Sequence, residues 1–404
     1  MTIKASSWLA SLFITLPLTA CGGTAPDQEE ATDTARQAVT AAHTPPVSVS
    51  SRSISFDFTE VSYLPAGVAA GERVIFIGNP LEGRVHAYSR ITGKEIGELP
   101  QPPGGFAIPF IMHANGEGKV QVLGAGGLPE PVPFVPAHPF IYEYSYDVKL
   151  RTGFSATLSR FVDSGDTLVG FPEDFVQLDD GRILLTDAVL GSIWVIERNG
   201  TFTPGIVPKT FDAADGIPSM KICPTMPQVT VNGMPFLFSG STIPGIEGIA
   251  ERDGTVYFSS SCAKGIYSFP LRILKDHRQP YQRAADIRLV SAQPANVQIE
   301  ELLDIQFNPF DRHDPYLYAA RGMQLEIMRI DVRNGQRQTV AHDARLLDFP
   351  SSLAFLPPIL GFGEGPTSLV VVSNQQERTP ITNDAVTEDS FELPFIVTKV
   401  LVTH

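Results

Sequence analysis

The chain has 404 residues, 43% of them hydrophobic and only 18% charged, which is enough apolar material for one large core. A formal net charge of −14 argues against a nucleic-acid partner and against a basic face on anionic lipid; it suits a surface that concentrates cations. With 34 Gly and 34 Pro the chain is rich in turns, and its lack of helical stretches leaves no βαβ scheme.

Residues 1–20 read as a lipoprotein signal peptide. Lys4 supplies a positive start, and Trp8 to Leu18 is apolar but too short to span a bilayer. Leu18-Thr19-Ala20-Cys21-Gly22 resembles the bacterial lipobox, in which Cys21 becomes the lipidated first residue; an ordinary signal peptide is the plainer alternative. Residues 21–53 follow as a lipidated Cys and a flexible tether rich in Ala, Thr, Gln, Glu and Pro. The expected location is the bacterial cell envelope, as a lipid-anchored periplasmic or outer-membrane lipoprotein, and the expected state is a monomer. In that oxidising setting Cys223 and Cys262 are expected to pair as a disulfide, because two isolated Cys without a clustered His pair do not suit zinc.

Residues 54–404 parse as six blades of four short antiparallel strands. The first blade is Val61–Leu64, Arg73–Gly78, Arg84–Ser89 and Lys94–Leu99. The second is Phe106–Met112, Lys119–Leu123, Pro139–Tyr146 and Gly153–Phe161, with a swollen loop from Gly124 to His138. The third is the clearest. Phe175–Leu178 turns at Asp179-Asp180-Gly181 into Arg182–Thr186, Leu190-Gly191 leads to Ser192–Ile196, and Asn199-Gly200 to Thr201–Val207. Pro208 to Gly245 is an insertion. The fourth blade runs Ile246–Ala250, Val256–Ser259, Ile266–Pro270 and, after an irregular link, Asp286–Ser291. The fifth runs Leu303–Asn308, Tyr316–Ala320, Glu326–Asp331 and Gln336–Ala341. The sixth offers only Ser351–Phe355, Ser368–Ser373 and Phe395–Val402, so Ser53–Phe58 is expected to complete it and close the ring. The predicted fold is an all-β, six-bladed β-propeller; a large β-sandwich is the rival that the repeated strand-Asp-Gly-strand unit disfavours.

Antiparallel order puts the starts of first strands and the ends of second strands on one face. Glu60, Glu173, Glu247 and Asp304 start first strands around the axis, and Asn79, Asp187, Ser259-Ser260-Ser261, Arg321 and Asn374 end second strands beside them. The Gly124–His138 loop and the 208–245 insertion overhang the same mouth. Four carboxylates meeting at an axis need a cation, and oxygen donors in a roomy channel select Ca²⁺. Glu60, Glu173, Glu247 and Asp304 are therefore the candidate metal ligands. His113 falls at the bottom of its strand, which leaves His138 in the loop as the better placed imidazole.

In these positions the chain resembles the calcium-dependent six-bladed propellers: regucalcin and gluconolactonase, strictosidine synthase-like proteins, and paraoxonase. The resemblance is diffuse and covers about Glu60 to Val402, with acids at Glu173-Asp174 and Glu247-Gly248 where the family favours Asn. Pro103-Gly104-Gly105-Phe106 stands where paraoxonase has a His. The resemblance implies calcium-dependent hydrolysis of a small lactone or ester, with Asp304 or Asp187 accepting the proton from metal-activated water and Arg321 steadying a carboxylate or oxyanion. A non-catalytic envelope propeller that binds a ligand or protein partner, its calcium structural, is the alternative from another class. A quinone-cofactor dehydrogenase propeller would need a further cofactor motif.

Overall fold

The computed structural model describes residues 52–58, 64–102, 109–115, 118–126, 138–149, 153–165, 167, 169–210, 216–223, 225–358, 368–380 and 382–402. They form a six-bladed β-propeller of four-stranded antiparallel sheets. Strand β1 (Arg52–Phe58) comes first in the chain. Blade one follows as β2 (Val68–Ala70), β3 (Val74–Asn79), β4 (Arg84–Ser89) and β5 (Glu95–Glu98). Blade two is β6 (Pro109–Asn115), β7 (Lys119–Gly126), β8 (His138–Lys149) and β9 (Gly153–Asp163). Blade three is β10 (Pro172–Gln177), β11 (Ile183–Asp187), β12 (Ser192–Ile196) and β13 (Phe202–Ile206). A small hairpin, β14 (Val229–Val231) and β15 (Met234–Phe236), lies in the insertion. Blade four is β16 (Ile246–Arg252), β17 (Thr255–Ser260), β18 (Gly265–Pro270) and β19 (Arg288–Ala292). Blade five is β20 (Leu302–Phe307), β21 (Tyr316–Arg321), β22 (Glu326–Asp331) and β23 (Arg337–His342). Blade six has β24 (Pro350–Phe355), β25 (Ser368–Ser373) and β26 (Phe395–Leu401).

Blade six is completed by the chain's own beginning, in the sheet order β1-β26-β25-β24. Arg52, Ser53 and Ile54 pair antiparallel with Lys399, Thr398 and Val397, so the expected closure is observed and the edge of β26 is covered. One strand differs from expectation. The innermost strand of blade one is Val68–Ala70, not Val61–Leu64, of which only Leu64 is described and is not in a strand. The residues that fit are the small, fully interior Val68 and Ala69, facing Ile77 and Phe76, because the axis leaves little room. Glu60 and residues 127–137 of the Gly124–His138 loop lie outside the described residues.

The core is not one mass but six interfaces between neighbouring blades. Val74, Phe76 and Val85 of blade one pack on Met112, Val122 and Tyr144 of blade two. Phe175, Leu185 and Trp194 pack on Ile111 and Leu123; Leu184 and Val195 on Ile249, Phe258 and Phe269. The pattern repeats between blades four and five, five and six, and six and one. A blade thus buries both faces only when it has two neighbours, which makes closure a condition of stability. Deleting residues 52–58 is expected to lower the melting temperature and produce association through the bared β26 edge. A monomer with an unchanged melting curve on light scattering and calorimetry would refute this.

Candidate functional site at the propeller axis

Four inner strands enter the axis at one level. Pro172 pairs with Asp187, Ile246 with Ser260, Leu302 with Arg321 and Pro350 with Ser373, and below each pair the register slips. A slip of this kind is a bulge, which re-aims side chains. In blades three to five the slipped residues are Glu173-Asp174, Glu247-Gly248 and Leu303-Asp304. The equivalences follow directly. Asp304 corresponds to Asp174, and Leu303 stands where Glu173 and Glu247 stand.

The third axial glutamate is therefore not supplied by the bulge of blade five. It is Glu301, one residue before β20, whose carboxyl is close enough to Glu247 and Glu173 to be repelled by both. Glu247 and Glu301 are 0% and 1% exposed, and Glu173 keeps partial exposure. Burial first, then mutual repulsion, holds Glu173 and Glu301 well above the usual carboxylate range. Glu247 is raised to about 7 by burial; its hydrogen bonds offset part of the rise, and the charge of Glu300 adds to it. Ser261 Oγ donates to Glu247 Oε2 at 2.6 Å, while Glu247 Oε1 and Glu301 Oε2 have no hydrogen-bond partner among the described residues. An axial oxygen set with buried orphan acceptors fits a hard divalent cation.

A second layer belongs to aspartates. Asp174 accepts from Phe175 N (2.7 Å), from Ile249 N of the next blade (2.8 Å) and lies 3.1 Å from His113 Nε2. Asp304 repeats the device one blade pair on, accepting from Leu353 N and Ser352 Oγ, both at 2.9 Å. Gln306 Nε2 reaches His113 Nδ1 (3.4 Å), Asp304 Oδ1 (3.3 Å) and Leu353 O (2.8 Å). His113 thus sits in the axial network rather than away from it, and its second ring nitrogen accepts. Burial disfavours the imidazolium, but the hydrogen bond and charge of Asp174, with Asp304, outweigh it and leave the His113 pKa raised. Asp304 is pushed up to about 6 by burial and Asp174, against the pull of His113 and its two donors.

The remaining candidates have their own attachments. Asp187 is fully buried and accepts from the backbone N–H of Gly170, Phe171, Val189 and Leu190, which fixes the chain entering β10 and the turn leaving β11 at one end of the blade. Burial raises it to about 6 in spite of those four bonds. Arg321 is turned outward, with Nε 2.7 Å from Glu300 and Nη1 on Glu326 of the third strand. Ser259 Oγ joins Gly248 N (2.9 Å) to Leu302 O (2.7 Å), so it links blades four and five. His138 is exposed and hydrogen-bonds Gly165 O. Cys223 and Cys262 are disulfide-paired with Cα atoms 5.4 Å apart. The tightest His/carboxylate group among the described residues is elsewhere: His86, Glu95 and Glu98 on the flank of blade one, their ligand atoms within 4.8 Å of one another. Glu173, Glu247 and Glu301 do not form so close a group.

Together the bladed ring and axial carboxyls define a six-bladed β-propeller with an acidic axis. No protein-family model matches the sequence, and no curated protein is significantly similar to it. Among solved structures, the chain is similar to a gluconolactonase from Xanthomonas campestris, at 12% identity over 86% of this chain and 89% of that one, with a TM-score of 0.47. It is similar to regucalcin, a calcium-binding protein from Agrobacterium tumefaciens, at 12% identity over 88% and 94%, TM-score 0.48. It is also similar to a PQQ-bound aldose sugar dehydrogenase from Streptomyces coelicolor, at 12% identity over 89% and 100%, TM-score 0.48.

Replacing Asp187 with Ala should strand four buried donors and cost about 3 kcal/mol or more in denaturant unfolding; a loss within experimental error would count against its holding role. The pH dependence has a definite sign. Glu247, Asp304 and Asp187 keep their protons to higher pH when folded, so each adds stability at low pH and loses it as pH rises through the folded value. Without divalent cations, stability should fall from about pH 4 to about pH 7, and His113, also raised, extends the fall upward. A melting temperature that climbs over that range in chelator would contradict the assignment.

Proposed function

We propose that Glu173, Glu247 and Glu301 bind one hard divalent cation, Ca²⁺ by donor chemistry, and that the site hydrolyses a small lactone or ester. The observation that carries this reading is the set of three neighbouring axial carboxyls, Glu247 and Glu301 buried and Glu173 partly so, with Glu247 Oε1 and Glu301 Oε2 unpartnered. Glu60 remains a proposed fourth donor. Asp304, expected in the same shell, contributes instead by holding blade six through Leu353 and Ser352. A bound cation would supply Lewis-acid polarisation of the carbonyl and a more acidic water.

The chain's own residues do the rest. Ser261 fixes the orientation of Glu247 within the donor set. Arg321 sets the position of Glu300, whose charge in turn tunes Glu247. The Cys21 anchor and an envelope location remain part of the proposal. The second reading, a structural cation in a propeller that binds a ligand or partner, is favoured by one observation: Glu247 and Glu301 are almost wholly shielded.

Cation binding must displace the protons that burial and repulsion keep on these acids. Calorimetry in buffers of different ionisation enthalpy should show proton release on Ca²⁺ binding at pH 6.5. Ca²⁺ should raise the melting temperature more at pH 7.5 than at pH 5.5. Glu301→Gln should weaken Ca²⁺ by roughly tenfold or more, the scale of losing one charged ligand. A lactone and aryl-ester panel with and without chelator separates the readings: Ca²⁺ binding with no turnover leaves the structural one, and no binding at all removes both.

A further inference from the structure

The top of the axis is covered by two segments that are far apart in sequence. One is the insertion between blades three and four, with hairpin β14–β15; the other is the strap of residues 374–394 between β25 and β26. Phe236, Phe238, Met226 and Val231 of the insertion pack on Leu303, Met323 and Phe349 of the propeller. The Phe236 and Phe349 rings are 5.4 Å apart. A Cβ built on Gly322 would meet Phe349 at 2.5 Å and Glu301 Oε2 at 3.1 Å, so this apolar layer lies directly against the axial carboxyl.

The two segments are joined by polar bonds concentrated on one side chain. Asn383 is fully buried; its Oδ1 accepts from Leu237 N (2.9 Å) and Ala385 N (3.0 Å), and its Nδ2 donates to Pro235 O (2.8 Å) and Glu377 O (2.7 Å). Asp384 N to Leu237 O and Ser239 N to Thr382 O run alongside. At its base the insertion is tied by the Cys223–Cys262 disulfide and the Cys223–Ile243 bridge. The opposite side of the hairpin borders a cavity of about 560 Å³ that Val229, Val231, Ile299 and Met323 help to line. The hairpin is therefore tied at its base, held at its tip by Asn232 Nδ2 on Ala344 O (3.0 Å) and on Asp348 Oδ1, latched at Asn383 on one flank and bordered by the cavity on the other.

We infer that the insertion hairpin and the blade-six strap form one lid over the axial carboxyls, latched at Asn383 and opening toward the cavity beside Ile299 and Met323. The inference rests on the axial site being a cation site, and it assigns the lid control over how fast that site exchanges its occupant. Latch bonds to Asn383 and Asn232 can be replaced by water, and lifting the hairpin bares one apolar cluster where parting a blade bares two, so the lid opens with the blades intact.

The test is Ca²⁺ release into excess fluorescent chelator from the full chain and from Asn383→Ala. Release should accelerate by roughly tenfold or more, with equilibrium affinity little changed, because opening is made easier without touching a ligand. An unchanged rate overturns the lid. Hydrogen exchange on the wild type provides a second reading should the variant fold poorly. The amides of Leu237, Ser239, Asp384 and Ala385 should exchange together and ahead of Ile249 and Leu353, the amides held by Asp174 and Asp304. Exchange of both sets in one step would refute the lid. If the wild type binds no Ca²⁺, the cation reading fails alone, and the same exchange pattern still decides whether the lid exists.

Discussion

Glu173, Glu247 and Glu301 impose the governing constraint, because like charges shielded from water cannot all ionise at neutral pH. Their carboxyls reach the axis only because two of them sit in bulges and the third just precedes a strand. The protein must then hold protons there, or a cation. Both solutions use the same oxygens, so a proton and a cation would compete for one site.

The ring carries this strain through links that cross from blade to blade. Asp174 reaches Ile249 of blade four, and Asp304 reaches Leu353 of blade six. Thr186 and Ser259 perform the same task with hydroxyls, accepting from the bulge N–H of their own blade and lying within bonding distance of Glu247 O and Leu302 O of the next. Each link satisfies a backbone group that the bulge would otherwise leave buried and unpaired. The apolar interfaces supply the bulk of the attraction between blades, and these links fix the level at which they meet.

Strand order and ring closure were legible because they depend on local signals: Asp-Gly and Asn-Gly turns, alternating apolar runs, and a sixth blade one strand short. Val68–Ala70 was missed because a three-residue inner strand of small side chains has no period to detect. At the site, Glu173 and Glu247 could be read from their place at strand starts. Asp304 was read as their equivalent because nothing in a sequence marks which residue of a bulge faces inward. Glu301 carried a usable signal: an acid immediately before the strand, at the end of an inter-blade connection. His113 was not legible, since its partners Asp174 and Gln306 come from blades three and five.

The shielding of the axis bears on chemistry as well as on binding. In a site closed to water, a fixed charge acts with less screening, so a cation held by Glu247 and Glu301 would polarise a carbonyl more strongly than one at an open mouth. The same closure excludes substrate for as long as it lasts. Hydrolysis at this axis therefore requires a cover that moves on the timescale of turnover, whereas a structural cation gains from a cover that never moves. The architecture above the axis has features of the first kind: the seam between insertion and strap is polar and passes through Asn383, and one flank of the hairpin borders open space.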